Sequence, residues 1–360
     1  MNSPHNVSIA VINEDQQHLI KECSITHRCG ISISVLNIGG VISKLCVPDR
    51  DGVTRDIVLG YHSYMDYIDN NYFIGCIVGR YCNRIQHGQF SVDGVDYKLD
   101  RNLGDHHLHG GNDAFHNRYW QMHPIVNDDE VGVTLSLHSP DRDQGYPGDL
   151  SVTVTYLLTA TGSLQIAYNA STNKKTPIGL TQHTYFNLNG VHSKISNHDL
   201  QIFTDDILEV DTDLIPTGKI TKVDTEFDFT TKRNIGQMLS NGKVKMRHTK
   251  GYDHCYSFRQ NTDRKLNLMA QLSSKDTGIV INMHSTECGL QLYTGNHLSS
   301  VAGKNNHTYN QYDGLCLEAQ PYPDSPNKPE FPNVILQPGE TYQSLTELVF
   351  STDNSVDNFS

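Results

Sequence analysis

Apolar side chains recur at every second residue in many short segments of this chain, and this period limits its fold more than any other feature. The clearest segments carry apolar residues at Ile31, Ile33 and Val35; Val133, Leu135 and Leu137; Val152, Val154, Tyr156 and Leu158; Leu164, Ile166 and Tyr168; Ile279, Ile281 and Met283; and Leu290 and Leu292. Because successive side chains of a strand point to opposite faces, each segment is expected to form a strand with one buried face. The pattern predicts an all-β protein.

Turn-forming clusters separate these segments at short intervals and leave little room for helices. The clusters are NIGG, DRDG, SVDGVDY, TATGS, LNG and QPGE. Short helices are predicted only around YHSYMDYI and NIGQMLSNG, and neither is long enough to connect two parallel strands. A parallel α/β sheet is therefore disfavoured, and no glycine-rich nucleotide-binding motif occurs.

Charge and cysteine usage exclude several classes of protein. The 360 residues carry a net charge of -12 and no run of Lys or Arg, which argues against a nucleic-acid partner. The N-terminal residues show no basic start followed by an apolar segment, and no apolar run is long enough to span a membrane. We expect a cytoplasmic protein with no membrane partner, and we expect its eight cysteines to be reduced and mostly buried.

No internal repeat or flexible linker divides the chain. We therefore predict one domain over residues 1–350, followed by a polar tail at 351–360. The proline-rich run 321–332 contains aromatic residues and precedes a strand-like segment, so it is predicted to be a stiff, ordered loop.

Polar and ionisable residues gather in GRYCNRI at 79–85, HHLHGG at 106–111, GLTQHTYFNLNG at 179–190 and GYDHCYSF at 251–258, and around Glu318. Glu318 lies inside the apolar run LCLEAQ, where a buried carboxylate normally needs a partner or a function. The other groups have structural interpretations: His183 as a core histidine, Asp253 as a strand-end acid, and Arg80 and Arg84 as ion-pair partners on one face of an extended segment.

The adjacent histidines of HHLHGG raise the question of a metal site, because imidazole is a common zinc ligand. In a strand, His107 and His109 would share a face and His106 would point away. No Glu or Cys at metal-ligand spacing completes the set, so we predict no metal site at these histidines.

Taken together and in order, these clusters resemble the aldose 1-epimerase (galactose mutarotase) family. The matching segments are GRYCNRIQHGQFSVDGVDYKL, HHLHGGNDAFHNRYW, GYPGDLSVTVTYLL, PIGLTQHTYFNLNG, GYDHCYSF, GLQLYTGN and GLCLEAQPYPDSPNKPEFPNVILQPGETY. The resemblance runs from about residue 35 to 350. It implies a large antiparallel β-sandwich with a cleft that binds a free hexose, and no metal or organic cofactor. We expect the proline-rich loop to form a wall near this cleft, with Tyr322 and Asp324 at its rim.

The resemblance also implies roles for particular residues. Glu318 is similar to the general base that takes the proton of the C1 hydroxyl, and His183 to the general acid that protonates the ring oxygen. Further residues resemble substrate contacts of the family: Arg84, Asn83, His109, Asp253 and Gln291. Departures at Gln182, Cys82 and Tyr322 leave the acid and the base unchanged.

Three other functions stay open at this point. Asp253 and Glu318 would also suit a glycoside hydrolase, and a non-catalytic sugar-binding protein would keep the same fold. A relative acting on hexose 6-phosphates would need additional cationic groups. The expected partner is a small monosaccharide, and the expected oligomeric state is a monomer or homodimer.

Overall fold

Strands dominate the chain, as the alternating pattern predicts. The computed structural model describes residues 5–14, 19–241, 249–258 and 265–353. The strands of the first half are β1 (Asn6–Glu14), β2 (Leu19–Thr26), β3 (Ser32–Leu36), β4 (Ile42–Pro48), β5 (Thr54–Asp56), β6 (Ile77–Val78), β7 (Arg84–Ile85), β8 (Gln89–Val92), β9 (Val95–Lys98), β10 (His107–Leu108), β11 (Gln121–Val126), β12 (Val131–Ser139), β13 (Leu150–Leu158), β14 (Leu164–Thr172), β15 (Thr176–Pro177), β16 (Thr181–Gln182) and β17 (Tyr185–Phe186).

The second half adds the strands that carry most of the predicted site. They are β18 (His198–Ile202), β19 (Asp206–Val210), β20 (Pro216–Lys222), β21 (Arg233–Asn234), β22 (Asp253–Ser257), β23 (Asn267–Ser274), β24 (Ile279–Ser285), β25 (Gly289–Tyr293), β26 (Val301–Ala302), β27 (Thr308–Tyr309), β28 (Leu315–Gln320), β29 (Ile335–Leu336) and β30 (Tyr342–Thr352).

Three larger antiparallel sheets form the body of the fold. A nine-stranded sheet has the order β11-β12-β13-β14-β30-β24-β23-β18-β21, a six-stranded sheet β17-β28-β25-β22-β19-β20, and a five-stranded sheet β1-β2-β3-β4-β5. One large cluster of buried side chains takes members from each, such as Val154, Leu317 and Val35. The architecture is all-β, in agreement with the expected sandwich.

Helices are few and short within the described residues. The α-helix α1 (Ile235–Asn241) lies where NIGQMLSNG predicts a helix, and a 3-10 turn at Tyr64–Tyr67 lies within YHSYMDYI. Other single 3-10 turns occupy Gln86–Gly88, Phe115–Asn117, Asp143–Gly145, Ile195–Asn197, Lys304–Asn306 and Ser325–Asn327. None of the helices in these ranges is long and apolar enough to cross a membrane.

The burial of the cysteines agrees with the sequence prediction. All cysteines are free, and Cys23, Cys76, Cys82, Cys255 and Cys316 are buried, as predicted.

The predicted tail at 351–360 begins too early, because Ser351 and Thr352 still pair with β24 as part of β30. Residues 354–360 lie outside the described residues.

The proline-rich run packs against the body of the protein, but Tyr322 does not line the cavity described below. Tyr322 is buried in a cluster with Leu208, Cys255 and Phe331. Asp324 is also fully buried, and its backbone N–H donates to the carbonyl oxygen of Arg84 at 2.8 Å. The predicted position of these two residues at a rim is therefore wrong; the loop supports the segment that carries Arg84 from behind.

Candidate active site

The alternation of β28 explains why a carboxylate interrupts an apolar run. Leu315, Leu317 and Ala319 belong to the main core cluster. Glu318 occupies the position between two of them, so its side chain lies on the opposite face of the six-stranded sheet. This face carries the candidate site, and Glu318 is almost completely buried there.

The strands beside β28 supply two more predicted residues on the same face. Gln291 of β25 pairs directly with Glu318, and Asp253 of β22 lies two positions from the residue that pairs with Gln291. Paired residues of antiparallel strands share a face, as do residues two apart. The Gln291 side-chain amide donates to Asp253 Oδ1 at 2.6 Å, which fixes the orientation of that carboxylate.

His183 reaches Glu318 from the short connection between β16 and β17. Its backbone is held on both sides, because its N–H donates to Cys76 O at 2.9 Å and its carbonyl oxygen accepts from Gly75 N at 2.9 Å. The ring lies with Nε2 3.8 Å from Glu318 Oε1, and both side chains are buried. The structure thus brings together the two residues for which acid and base roles are predicted.

Asn83, Arg84 and His109 form a third side of the site. The Asn83 N–H donates to His109 Nδ1 at 3.2 Å, and the His109 N–H donates to Asn83 O at 3.0 Å. Both residues have positive φ, 60° and 52°, an uncommon backbone state that clusters at functional sites. The Arg84 guanidinium donates to Asn83 Oδ1 at 3.2 Å and pairs with Asp253 Oδ2 at 3.0 Å.

These groups surround a cavity of about 160 Å³. Its lining includes Asn83, Arg84, His109, His183, Asp253 and Glu318, together with Asn71, Tyr72, Phe73, Leu103, Leu108, Tyr185, Tyr293 and His297. Gln291 is not among the lining side chains and acts on the site through Asp253. A larger cavity of about 690 Å³, bordered by Pro321, Leu336 and Tyr342, has no histidine in its lining.

Aromatic side chains form part of the wall, and the sequence reasoning missed them. The Phe73 ring centroid lies 4.6 Å from that of His109 and 5.9 Å from that of His183. Tyr185 lies 5.1 Å and Tyr293 6.2 Å from the His183 ring. The two tyrosines lie inside segments singled out above and follow their strands' alternation, whereas DNNYFIG around Phe73 carries no recognisable signal.

The HHLHGG histidines do not share a face as a strand would require. β10 ends at Leu108, and the positive φ of His109 turns its ring into the cavity. His107 instead donates to Asp100 O and accepts from the Tyr146 hydroxyl, while His106 lies 3.6 Å from Asp213. The prediction of a shared face for His107 and His109 is therefore wrong.

Arg80 and Arg84 are likewise separated. Arg80 is buried and donates to the carbonyl oxygens of Ser139, Pro140, Pro147 and Gly148. Its role is structural, but backbone carbonyl oxygens take the place of the carboxylate partner expected from the sequence. Arg84 alone enters the cavity. The predicted common face fails because the segment between them is not a continuous strand; β7 begins only at Arg84.

Burial shifts the proton affinities of the acid and the base in opposite directions. It raises the pKa of Glu318 well above its usual value, with a further increase from the Asp253 charge. Burial also lowers the pKa of His183 to about 4. Both effects have the same cause, since a low-dielectric site disfavours the charged form of either group.

Burial also affects the pKa values of His109 and Asp253, which lie beside this pair. Burial lowers the pKa of His109 well below its usual value, helped by the neighbouring His183. Burial opposes the ionisation of Asp253, yet the Arg84 guanidinium holds the pKa of that carboxyl below its usual range. The site therefore combines one fixed ion pair with neutral proton carriers.

Known proteins are similar to this chain in both sequence and fold. The sequence model of the family described as aldose 1-epimerase matches residues 21–349. A galactose mutarotase from Sus scrofa is 38% identical over 324 residues, which is 89% of this chain and 91% of the relative. An aldose 1-epimerase from Escherichia coli is 37% identical over 331 residues, 91% of this chain and 94% of the relative.

Solved structures share the fold of this chain. The galactose 1-epimerase from Lactobacillus acidophilus superposes with a TM-score of 0.85 at 26% identity, over 97% of this chain and 99% of that one. An aldose epimerase homologue from C. elegans gives a TM-score of 0.82 at 28% identity, over 91% of this chain and 98% of that one. This chain belongs to the aldose 1-epimerase family.

Proposed function

We propose that this protein is an aldose 1-epimerase, an isomerase that interconverts the α and β anomers of free aldohexoses such as galactose and glucose. The observation that carries the proposal is the buried pair of His183 Nε2 and Glu318 Oε1, 3.8 Å apart, in a chain of this family. An acid and a base held beside one small cavity are what proton exchange at a hemiacetal requires.

The reaction uses the pair in both directions. Glu318 takes the proton of the C1 hydroxyl while His183 gives a proton to the ring oxygen, so that the C1–O5 bond breaks and the aldehyde forms. After rotation about C1–C2, Glu318 returns its proton to the carbonyl oxygen and His183 takes the proton of the C5 hydroxyl. The ring closes as the other anomer, and each group regains its initial protonation state.

Burial of the site favours the protonation state that follows ring opening, in which Glu318 and His183 are both neutral. A charged pair, Glu318 carboxylate with His183 imidazolium, holds the same number of protons as the neutral pair that follows ring opening. Burial favours the neutral forms, as the opposite pKa shifts of the two residues indicate. Hydrogen bonds from sugar hydroxyls to the Glu318 carboxylate would then favour the charged form needed to begin the reaction.

The remaining polar residues are proposed to bind and orient the sugar. Arg84, Asn83 and His109 lie together and would contact the C1 and ring-oxygen end. Asp253 would accept hydrogen bonds from sugar hydroxyls, with Gln291 as its support. The Arg84 ion pair and the Gln291 amide each bond to one Asp253 oxygen, which leaves remaining lone pairs in a fixed direction.

The same contacts weigh against the glycoside hydrolase alternative. A hydrolase needs a second carboxyl group that acts as an acid, a base or a nucleophile. Asp253 is instead held in its ionised form by Arg84 and bonded through both of its oxygens. This arrangement suits a hydrogen-bond acceptor for substrate, and Glu318 finds its proton partner in His183.

Polarimetry on freshly dissolved α-D-galactose and α-D-glucose tests the function. We expect mutarotation faster than in buffer alone, and a loss of about 10²- to 10⁴-fold in kcat for Glu318→Gln, which keeps the shape but removes the base. Glu340→Gln, at an exposed position that is not part of the lining of the active-site cavity, is the matched control. Full activity in Glu318→Gln would disprove the assignment of the base, and no acceleration by the unaltered protein would disprove the function.

Three broader features belong to the same proposal. We propose that the chain through its last strand is one domain, since the main core cluster joins all three larger sheets. The net charge of -12 supports a protein without a nucleic-acid partner. The free, mostly buried cysteines suit the reducing cytoplasm, where we propose a monomer or homodimer acts on its sugar.

A further inference from the structure

A thiol lies directly beside the acid–base pair, and the proposed reaction does not use it. Cys316 and Glu318 are two residues apart on β28, so their side chains share the face that carries the site. Cys316 Sγ lies 3.4 Å from His183 Nδ1, and His183 Nε2 lies 3.8 Å from Glu318 Oε1. The imidazole therefore stands between a sulfur and a carboxylate.

These three side chains make a compact set of metal-binding atoms. One nitrogen of His183, the sulfur of Cys316 and one oxygen of Glu318 all lie within 4.8 Å of one another. Zinc bonds of about 2.0–2.3 Å place neighbouring tetrahedral ligands about 3.3–3.8 Å apart, so side-chain movements of about 1 Å would complete the geometry. Sulfur, imidazole nitrogen and carboxylate oxygen are the ligands that zinc prefers.

Glu318 also has an unused oxygen. Its Oε2 atom is buried and has no hydrogen-bond partner among the described residues. A buried carboxylate oxygen without a partner is unfavourable, and it gains from any donor or cation that reaches it. Both Glu318 and His183 line the cavity, which gives an ion a route to the set from outside.

We propose that His183, Cys316 and Glu318 bind zinc or a similar thiophilic divalent cation, and that the bound ion competes with the sugar. The zinc–sulfur bond forms as the thiol proton leaves to solvent, and Glu318 binds as the carboxylate. With these bonds formed, neither the base nor the acid can exchange a proton with the substrate. The inhibitory effect rests on the proposed function, whereas the binding of the ion does not.

Binding is tested with cobalt(II), a spectroscopic substitute for zinc, added to the full protein after treatment with EDTA. We expect a sulfur-to-cobalt charge-transfer band that zinc abolishes. The band should be absent in Cys316→Ser and unchanged in Cys29→Ser. Cys29 is the matched control because it is an exposed thiol, 2.8 Å from His27 Nδ1, and thus the rival site for the same ions. Loss of the band in Cys29→Ser alone would overturn the proposal.

Inhibition is measured separately by polarimetry, with each variant compared with its own rate without metal. Zinc should raise the apparent KM for galactose, magnesium should not, and EDTA should restore the rate. Half-inhibition of Cys316→Ser should need about tenfold more zinc, or more. Equal inhibition of Cys316→Ser and the unaltered protein would disprove the site. A cobalt band in a protein without mutarotase activity would disprove the function and leave the metal site standing.

Discussion

A buried carboxylic acid beside a buried imidazole makes the pH dependence of this protein unusual. We expect kcat/KM to fall on the acid side only near pH 4, where His183, whose pKa is lowered to about 4, gains a proton that leaves the pair without a base. The alkaline limb follows Glu318, whose pKa burial raises well above its usual value, because losing the shared proton leaves no acid. Because the two groups are coupled, the apparent pKa values of the two limbs belong to the pair and not to either residue alone.

The measurement is kcat/KM for galactose across pH, with the buffer-catalysed rate subtracted at each point. Glu340→Gln should reproduce the profile of the unaltered protein. An acid limb near pH 6.5, the ordinary pKa of histidine, would contradict the inferred effect of burial on His183.

Asp253 offers a second test of the electrostatics. Its negative charge raises the pKa of Glu318, so Asp253→Asn should lower that pKa and move the alkaline limb of kcat/KM to lower pH. The same change should raise KM, because the ion pair with Arg84 and a hydroxyl acceptor are both altered. Asp96→Asn, at an exposed position, is the control. An alkaline limb that does not move in Asp253→Asn would mean that Glu318 does not determine it.

Strand periodicity predicts the orientation of side chains inside a regular strand, but not of those at positions where the backbone leaves the strand. The alternation of LCLEAQ was sufficient to predict that Glu318 points away from its apolar neighbours. His109 points into the cavity because its positive φ ends β10, and no pattern in HHLHGG predicts that turn. Phe73, also at positive φ, lies in the cavity wall for a reason that only tertiary packing supplies.

At the scale of elements, the register of three strands places Asp253, Gln291 and Glu318 side by side. Two other strands separate β22 from β25 along the chain, and two more separate β25 from β28. Each of the three carries its residue on the same face of the six-stranded sheet. Periodicity predicts the face within each strand. It does not predict which strands are neighbours, so their meeting was expected only from the family resemblance.

The proline-rich loop acts as a support behind the site, and Asp324 is its main anchor. Its Oδ1 accepts from the Gln86 N–H at 2.9 Å, and Lys328 Nζ lies 3.1 Å from its Oδ2. Asp324→Ala would leave the Gln86 donor unpaired, and we expect a loss of about 1–3 kcal/mol in the free energy of unfolding. Because the loop also bonds to the Arg84 backbone, KM should rise.

Urea unfolding and steady-state polarimetry measure these two effects. Asp96→Ala, an exposed substitution, should change the free energy of unfolding by no more than about 0.5 kcal/mol. A loop that only covers the surface would give the same small change for Asp324→Ala, with KM unaltered.

For the molecule as a whole, the shared core is the feature that decides between one domain and several. Leu317 of the six-stranded sheet and Trp120, which precedes β11 of the nine-stranded sheet, both belong to the main cluster of buried side chains. Trp120 is the one tryptophan of the chain, so its fluorescence reports on the core from a single position. If the sheets unfold as one unit, this signal and the far-ultraviolet circular dichroism of all strands should change at the same urea concentration.

Leu317→Ala makes the test sharper because it alters the sheet on which the catalytic base lies. Truncating a buried leucine costs about 2–5 kcal/mol, and in a cooperative domain that cost lowers the midpoint of every probe. The Trp120 transition should therefore move to lower urea together with the loss of circular dichroism. A Trp120 midpoint that stays in place while part of the dichroism is lost earlier would show that the six-stranded sheet unfolds on its own. The six-stranded sheet, which carries the active site, would then be a separate folding unit, and the proposal of one domain would be wrong.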